Sequence, residues 1–243
     1  MGNGVAGLFL NGASDNTIGG TADGTGNLIS GNGNIVVQSD FRSGIVIFTN
    51  GGRRNVIQGN LIGTDASGTR SLGNGVSGSG AGIDIFGDTS GNTIGGVEEG
   101  ARNVISGNFF SGVRISNAGD QGNVIQGNYI GTDISGTISL ANGLSGIELG
   151  LAVGNTIGGT IPEARNLVSG NGTFGILLAN SSGNLVQGNY VGVDITGTTT
   201  LGNVEGVRFQ SSSSNTLGGT TAGARNLFSG NGGDGVRIIG SGA

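Results

Sequence analysis

Three sets of residues in this 243-residue sequence have types and spacings suited to chemistry. Asp84, Arg114 and Glu148 are the third residue of the same four-residue motif, Gly-φ-x-φ with φ apolar, in GIDI at Gly82, GVRI at Gly112 and GIEL at Gly146. Two carboxylates so placed around a guanidinium are candidates for the acid–base work of glycosidic-bond cleavage. Asp65, Asp133 and Asp194 stand in GTDASGT, GTDISGT and GVDITGT, where carboxylate, hydroxyl and carbonyl oxygens gather and calcium is the candidate ligand. Tyr129 and Tyr190, each following a Gly-Asn pair, offer ring faces for stacking on sugars. The chain has no His, no Cys and no Lys, all ten basic residues being Arg, so imidazole, thiolate and amine catalysis are all excluded.

The elements that position these residues follow from repetition. Gly-φ-x-φ begins at Gly7, Gly44, Gly82, Gly112, Gly146, Gly175, Gly206 and Gly235. A second motif, Asn-x-φ-x-Gly, follows at Asn16, Asn55, Asn92, Asn123, Asn155, Asn184 and Asn215, and a third, Asn-φ-φ, at Asn27, Asn60, Asn103, Asn128, Asn166, Asn189 and Asn226. Alternation of period two with no helical period predicts three short strands per unit of about 30 residues, and excludes helical arrays. Each Asn shares a strand face with a core aliphatic, and a buried amide without partners costs about 1–3 kcal/mol. Stacking the units in register removes that cost, because each Asn then bonds to its equivalents above and below. The predicted fold is therefore all-β: a single-stranded parallel β-helix of about seven three-strand coils over residues 1–243, with two asparagine ladders and two alternating coil types.

Composition agrees. There are 57 Gly and a single Pro, too little Pro for collagen, and the regular aliphatic positions exclude disorder. A net charge of -5 with no basic stripe excludes a nucleic-acid partner, and no run approaches the ~20 apolar residues of a membrane span. The N-terminal stretch MGNGVAGLFL has neither the basic region nor the long apolar core of a signal peptide.

On this coil the third residues of the first strands form an outward column: Phe9, Val46, Asp84, Arg114, Glu148, Leu177, Arg208 and Arg237. Asp84 and Glu148 lie two strands apart, about 9.6 Å, near the upper separation for inverting glycosidases. Arg114 between them favours the ionised form of both, so the column reads as a surface charge ladder rather than an acid–base pair. The three loop aspartates recur every second coil with one charge each, which fits turn formation better than calcium. Leu28, Leu61, Val104, Tyr129, Leu167, Tyr190 and Leu227 make an outward apolar stripe on the third strands, to be covered by Leu72, Leu140 and Leu201 or to face a partner. Residues 33–43 form an irregular insertion, and Asp40, Arg42, Arg53 and Arg54 make it a candidate binding loop.

The blocks NTIGG at Asn92, ARNVISGN at Ala101, GVRI at Gly112 and NVIQGNYIGTDISGT at Asn123 resemble the right-handed parallel β-helix repeats of bacterial surface and secreted arrays, in the wider pectin-lyase-like group. The resemblance spans residues 2 to 240 and implies the right hand of the helix. It also implies an extracellular or cell-surface location and a structural or adhesive role with a polysaccharide or surface partner. Enzymes of this group that cleave acidic polysaccharides pair clustered Asp with a Gly-His-Gly, or calcium with an Arg or Lys base. This chain lacks His and Lys, so the expectation is a non-enzymatic module; a polysaccharide lyase or glycoside hydrolase is the alternative. Both ends fall in mid-repeat, so the chain reads as a segment of a longer array without its own caps, prone to end-to-end self-association.

Overall fold

The computed structural model describes residues 2–33, 41–49, 51–76, 79–117, 119 and 121–240. Asp40 and most of the irregular insertion lie outside them. The described chain winds into three parallel sheets, one of eight strands and two of seven. Each sheet takes one strand from every coil. The first runs from Leu8–Asn11 through Ile83–Phe86, Val113–Ser116 and Ile147–Gly150 to Val236–Ile239. The second holds strands such as Val124–Gln126, and the third two-residue strands such as Tyr129–Ile130. Register is uniform: Asp84 pairs with Arg114 and Arg114 with Glu148, Ile94 with Ile125, and Ile105 with Ile130.

Every coil contributes inward aliphatics to one continuous core, in which Ile83, Ile85, Ile94, Ile105, Ile125 and Ile130 are fully buried. Each is worth about 2 kcal/mol on burial. Both predicted ladders are present. In the first, Asn92 Nδ2 donates to Asn123 Oδ1 and Asn123 Nδ2 to Asn155 Oδ1, each at 3.0 Å. In the second, Asn103 Nδ2 donates to Asn128 Oδ1 at 2.9 Å and Asn128 Nδ2 to Asn166 Oδ1 at 3.1 Å. The ladders also tie corners to sheets, since Asn128 Nδ2 donates to the carbonyls of Ile94 and Gln126, both at 2.9 Å.

A third ladder, absent from the sequence reading, runs Asn3, Asn32, Asn74, Asn108, Asn142, Asn171, Asn203 and Asn231, with amide-to-amide distances of 2.8–3.0 Å. After Asn3 its asparagines come from two different contexts: SGN in one coil type, and LGN or LAN after a loop in the other. No single motif marks them, and only stacking aligns them. The corner glycines are sterically required: Gly127 has φ +73°, and a Cβ there would stand 2.2 Å from the Gly96 carbonyl oxygen.

Candidate functional site

The outer face of the first sheet brings Asp84, Arg114 and Glu148 onto adjacent strands, as the motif spacing requires. What the spacing did not show is how much of that face is roofed over. Val46 is fully buried and Asp84 only 2 % exposed. Phe41, from the end of the insertion, packs among Phe9, Phe48 and Phe86 at ring-centroid distances of 5.0–5.7 Å. Arg42 Nη1 donates to Ser79 Oγ at 3.3 Å, fastening the insertion to the segment over Asp84. Ser79, Gly80, Ala81, Phe86 and Phe110 enclose, with Asp84 and Arg114, a pocket of about 380 Å³.

At its base Arg114 clasps Asp84 with a two-point fork, Nε to Oδ1 at 2.9 Å and Nη2 to Oδ2 at 3.0 Å. The charge-ladder reading expected the flanking cation to favour the ionised carboxylate. For Asp84, burial outweighs that pull and raises its pKa above the ordinary 3.8, with the neighbouring Glu148 charge adding to the rise. The Arg114 fork and a hydrogen bond from Ser43 act in the opposite sense.

Serines of the preceding coil hold these carboxylates. Ser43 bonds Asp84, and Ser111 Oγ donates to Glu148 Oε2 at 2.6 Å. Ser145 occupies the same place one coil later, but the following coil offers Leu177 and no acceptor, so its buried hydroxyl has no partner among the described residues. The sequence signal for this support is the Ser immediately before Gly44, Gly112 and Gly146. Further along, Arg208 is paired with Glu205 of its own strand, three residues earlier, and Arg237 Nη1 of the next strand lies 3.5 Å from Glu205 Oε1.

The other sequence candidates lie elsewhere. Tyr129 is 6 % exposed in a side cluster with Val104 and Leu167, and Arg102 sits 4.2 Å above its ring. Tyr190 is more accessible, but Arg165 lies 4.0 Å over it. A sugar stacking on either ring would have to displace an arginine. The apolar stripe is covered in part, but not by the expected leucines: Ile195 packs on the cluster and Ile134 faces Leu61 and Val104, while Leu72 remains half-exposed. The side chain after the loop aspartate reaches back over the strand; the leucine at the loop's far end does not.

Each loop aspartate is occupied by its own turn. Asp133 Oδ1 accepts from the backbone amides of Thr137 and Ile138 at 3.1 and 3.0 Å, and both its oxygens accept from Ser135 Oγ at 2.8 and 2.7 Å. Asp194 is bonded likewise by Thr196, Thr198 and Thr199, and Asp65 by Ser67, Thr69 and Arg70. These donors lower all three pKa values, against the opposing effect of burial. Among the described residues no group of three or more His, Cys, Asp or Glu could hold a metal ion. Arg54, a candidate beside the insertion, is instead forked onto Asp15 at 2.7 and 2.6 Å. No helix among the described residues is long and apolar enough to cross a membrane.

No protein-family model matches this sequence, and no curated protein matches it. Among solved structures the chain is similar to a point mutant of the periplasmic alginate epimerase AlgG, at 18% identity and a TM-score of 0.55, over 96% of this chain and 46% of that one. A double mutant of the same epimerase aligns over 80% of this chain and 45% of that one, at 18% identity and a TM-score of 0.41. The chain thus spans about half the length of the epimerase structures it matches. At such identity the likeness concerns fold alone. With three parallel sheets wound from one chain and three strands to each coil, the chain has the fold of a right-handed parallel β-helix.

Proposed function

We propose that this chain is a stiff, non-catalytic β-helical module of an exported protein, and that it binds carbohydrate along the outer face of its first sheet. The observation that carries this reading is the pocket over Asp84 and Arg114, walled by Phe86 and Phe110 and flanked by the aromatic group of Phe9, Phe41 and Phe48. Two aromatic side chains, Phe86 and Phe110, beside the fixed Asp84–Arg114 pair offer ring faces and polar groups together, the combination that suits a sugar ring. The serine–carboxylate pairs continue the polar strip beyond the pocket to Glu148. Alginate is the first polymer to test, because the fold neighbour is a periplasmic alginate epimerase; its location also supports export. A glycan array containing neutral and uronic-acid oligosaccharides tests the proposal. Binding that Phe110→Ala and Arg114→Gln abolish is the expected result; no retention of any glycan sinks it.

One observation favours a second reading, a carbohydrate-active enzyme. A buried carboxyl with a raised pKa, about two strand spacings from a second carboxylate, has the ingredients of acid–base catalysis. Degradation and epimerisation assays on acidic polysaccharides, with and without calcium, distinguish the two. Product formation lost in Asp84→Asn replaces the non-catalytic reading.

Head-to-tail self-association belongs to the same proposal. Ladder amides donate in one direction along the rod, so Asn3, Asn16 and Asn27 accept no ladder bond and Asn215, Asn226 and Asn231 give none among the described residues. Beside the latter, Ile238 is 72% and Leu217 36% exposed. Mass that rises with concentration in sedimentation equilibrium is expected; a strict monomer refutes it.

A further inference from the structure

A second pocket lies against the third sheet and coincides with a break in the repeat. Loops leave the second corner every other coil as GGTADGTGN from Gly19, GGVEEGARN from Gly95, GGTIPEARN from Gly158 and GGTTAGARN from Gly218. Their sixth residues are Gly24, Gly100, Glu163 and Gly223. In two copies that glycine packs the loop onto the copy before it: a Cβ on Gly100 would lie 2.0 Å from the Thr21 carbonyl oxygen, and one on Gly223 1.7 Å from that of Thr160. Glu163 carries a side chain at this place, so the same close approach to Val97 is denied. At that junction lies a pocket of about 520 Å³, lined by residues 96–100 of one loop and by Glu163 of the next.

Leu61 and Val104 line it from the third sheet, and Ile134, 51% exposed, lines it from the covering loop. Glu98, Glu99 and Glu163 are exposed around it, and none of them forms an ion pair among the described residues. Arg102 also lines the pocket, but it is held against Tyr129, and its Nε donates to the Gly127 carbonyl oxygen at 3.3 Å. The pocket therefore pairs an aliphatic lining with three carboxylates against one guanidinium, an acidic excess. Its complement is an aliphatic stem ending in a cation, which is the chemistry of lysine and arginine side chains. An amino-sugar polymer carries its cations on hydroxyl-covered rings that do not match the aliphatic lining, and the three glutamates do not assemble as a metal site.

We infer that this pocket docks a basic peptide segment of a partner protein, with a lysine or arginine stem on Leu61, Val104 and Ile134 and its charge among Glu98, Glu99 and Glu163. The inference is independent of the carbohydrate site on the first sheet. It is tested by fluorescence anisotropy with a short labelled peptide of lysines alternating with leucines, the same peptide with its lysines acetylated, and a labelled chitosan oligomer. The lysine peptide is expected to bind, and acetylation to weaken it by about tenfold or more. The triple variant E98Q/E99Q/E163Q, and separately Glu163→Gly, which restores the repeat residue, are each expected to weaken it to a similar degree. All of these changes fall on exposed side chains, and the pair D23N/D88N, exposed acids outside the pocket, is expected to leave binding unchanged. Equal loss in D23N/D88N would show general charge attraction and overturn the proposal. So would unaltered binding by Glu163→Gly, or binding of the chitosan oligomer without the peptide.

Discussion

Asn128→Ala is the sharpest test of the ladder argument. The Asn128 side chain is fully buried. Its Nδ2 donates to the Ile94 and Gln126 carbonyls and to Asn166 Oδ1, and its Oδ1 accepts from Asn103 Nδ2 at 2.9 Å and from the Asn103 backbone amide at 3.4 Å. Alanine removes all five bonds, but not all five losses count equally. Asn103 Nδ2 keeps its bond to the Ile57 carbonyl, and Asn166 Oδ1 keeps the Asn128 backbone amide. The group stranded in the dry corner is the Asn103 backbone amide; the Ile94 carbonyl keeps the sheet bond from the Gln126 backbone that its pairing with that strand provides. At about 1–3 kcal/mol for an unsatisfied buried group, the expected loss is about 1–3 kcal/mol. Asn226→Ala is the matched control, because that rung is only partly buried and receives bonds from Asn189 alone. Its stranded donors can turn to water, so the loss there should stay below about 1 kcal/mol. Equilibrium urea unfolding followed by circular dichroism reads the two midpoints. A midpoint shift for Asn128→Ala no larger than for Asn226→Ala would refute the view that the ladders stabilise the interior of the coil.

Three further outcomes follow from the charged groups. Arg114→Met strands the buried Asp84 carboxylate and should cost about 3–5 kcal/mol, most of it recovered by adding Asp84→Asn; melting of the two single variants and the double reads the coupling. The lowered pKa values of Asp133 and Asp194 mean that their stabilisation is present above 3.8 and lost as pH falls through the folded-state values. Asp84, with a raised value, acts with the opposite sign: its folded form keeps the proton to higher pH, so stability declines as pH rises through its folded pKa. Melting temperature followed from about pH 3 to about pH 7 should therefore drop less in acid for Asp133→Asn, and decline less towards neutrality for Asp84→Asn, than for the parent. Calcium should leave the melting temperature unchanged, because turn donors already occupy both oxygens of Asp133 and Asp194 and Oδ1 of Asp65; a rise on adding calcium would count against that assignment.

The sequence by itself determined the coil. Asparagine at Asn123 and Asn128, glycine at Gly127 and aliphatics at Ile125 and Ile130 recur because each must meet its own equivalent in the next coil, and identical neighbours demand identical residues. That demand wrote two of the three ladders, the strand register and the order Asp84, Arg114, Glu148 into periodicity. The third ladder was visible only as SGN and LGN fragments, because its rungs alternate between coil types that reach the same corner by chains of different length. What lies over the faces was not legible. Alternation assigns Asp84 to the outside of a strand, but its burial depends on Phe110 and on Ser79–Ala81, none of which is set by the period of the repeat. The same holds for Tyr129 beneath Arg102, and for Ile134 over Leu61 and Val104 where leucines had been expected. Periodicity reports contacts between equivalent residues; contacts between a loop and a face join residues that are not equivalent, and only the folded chain decides them.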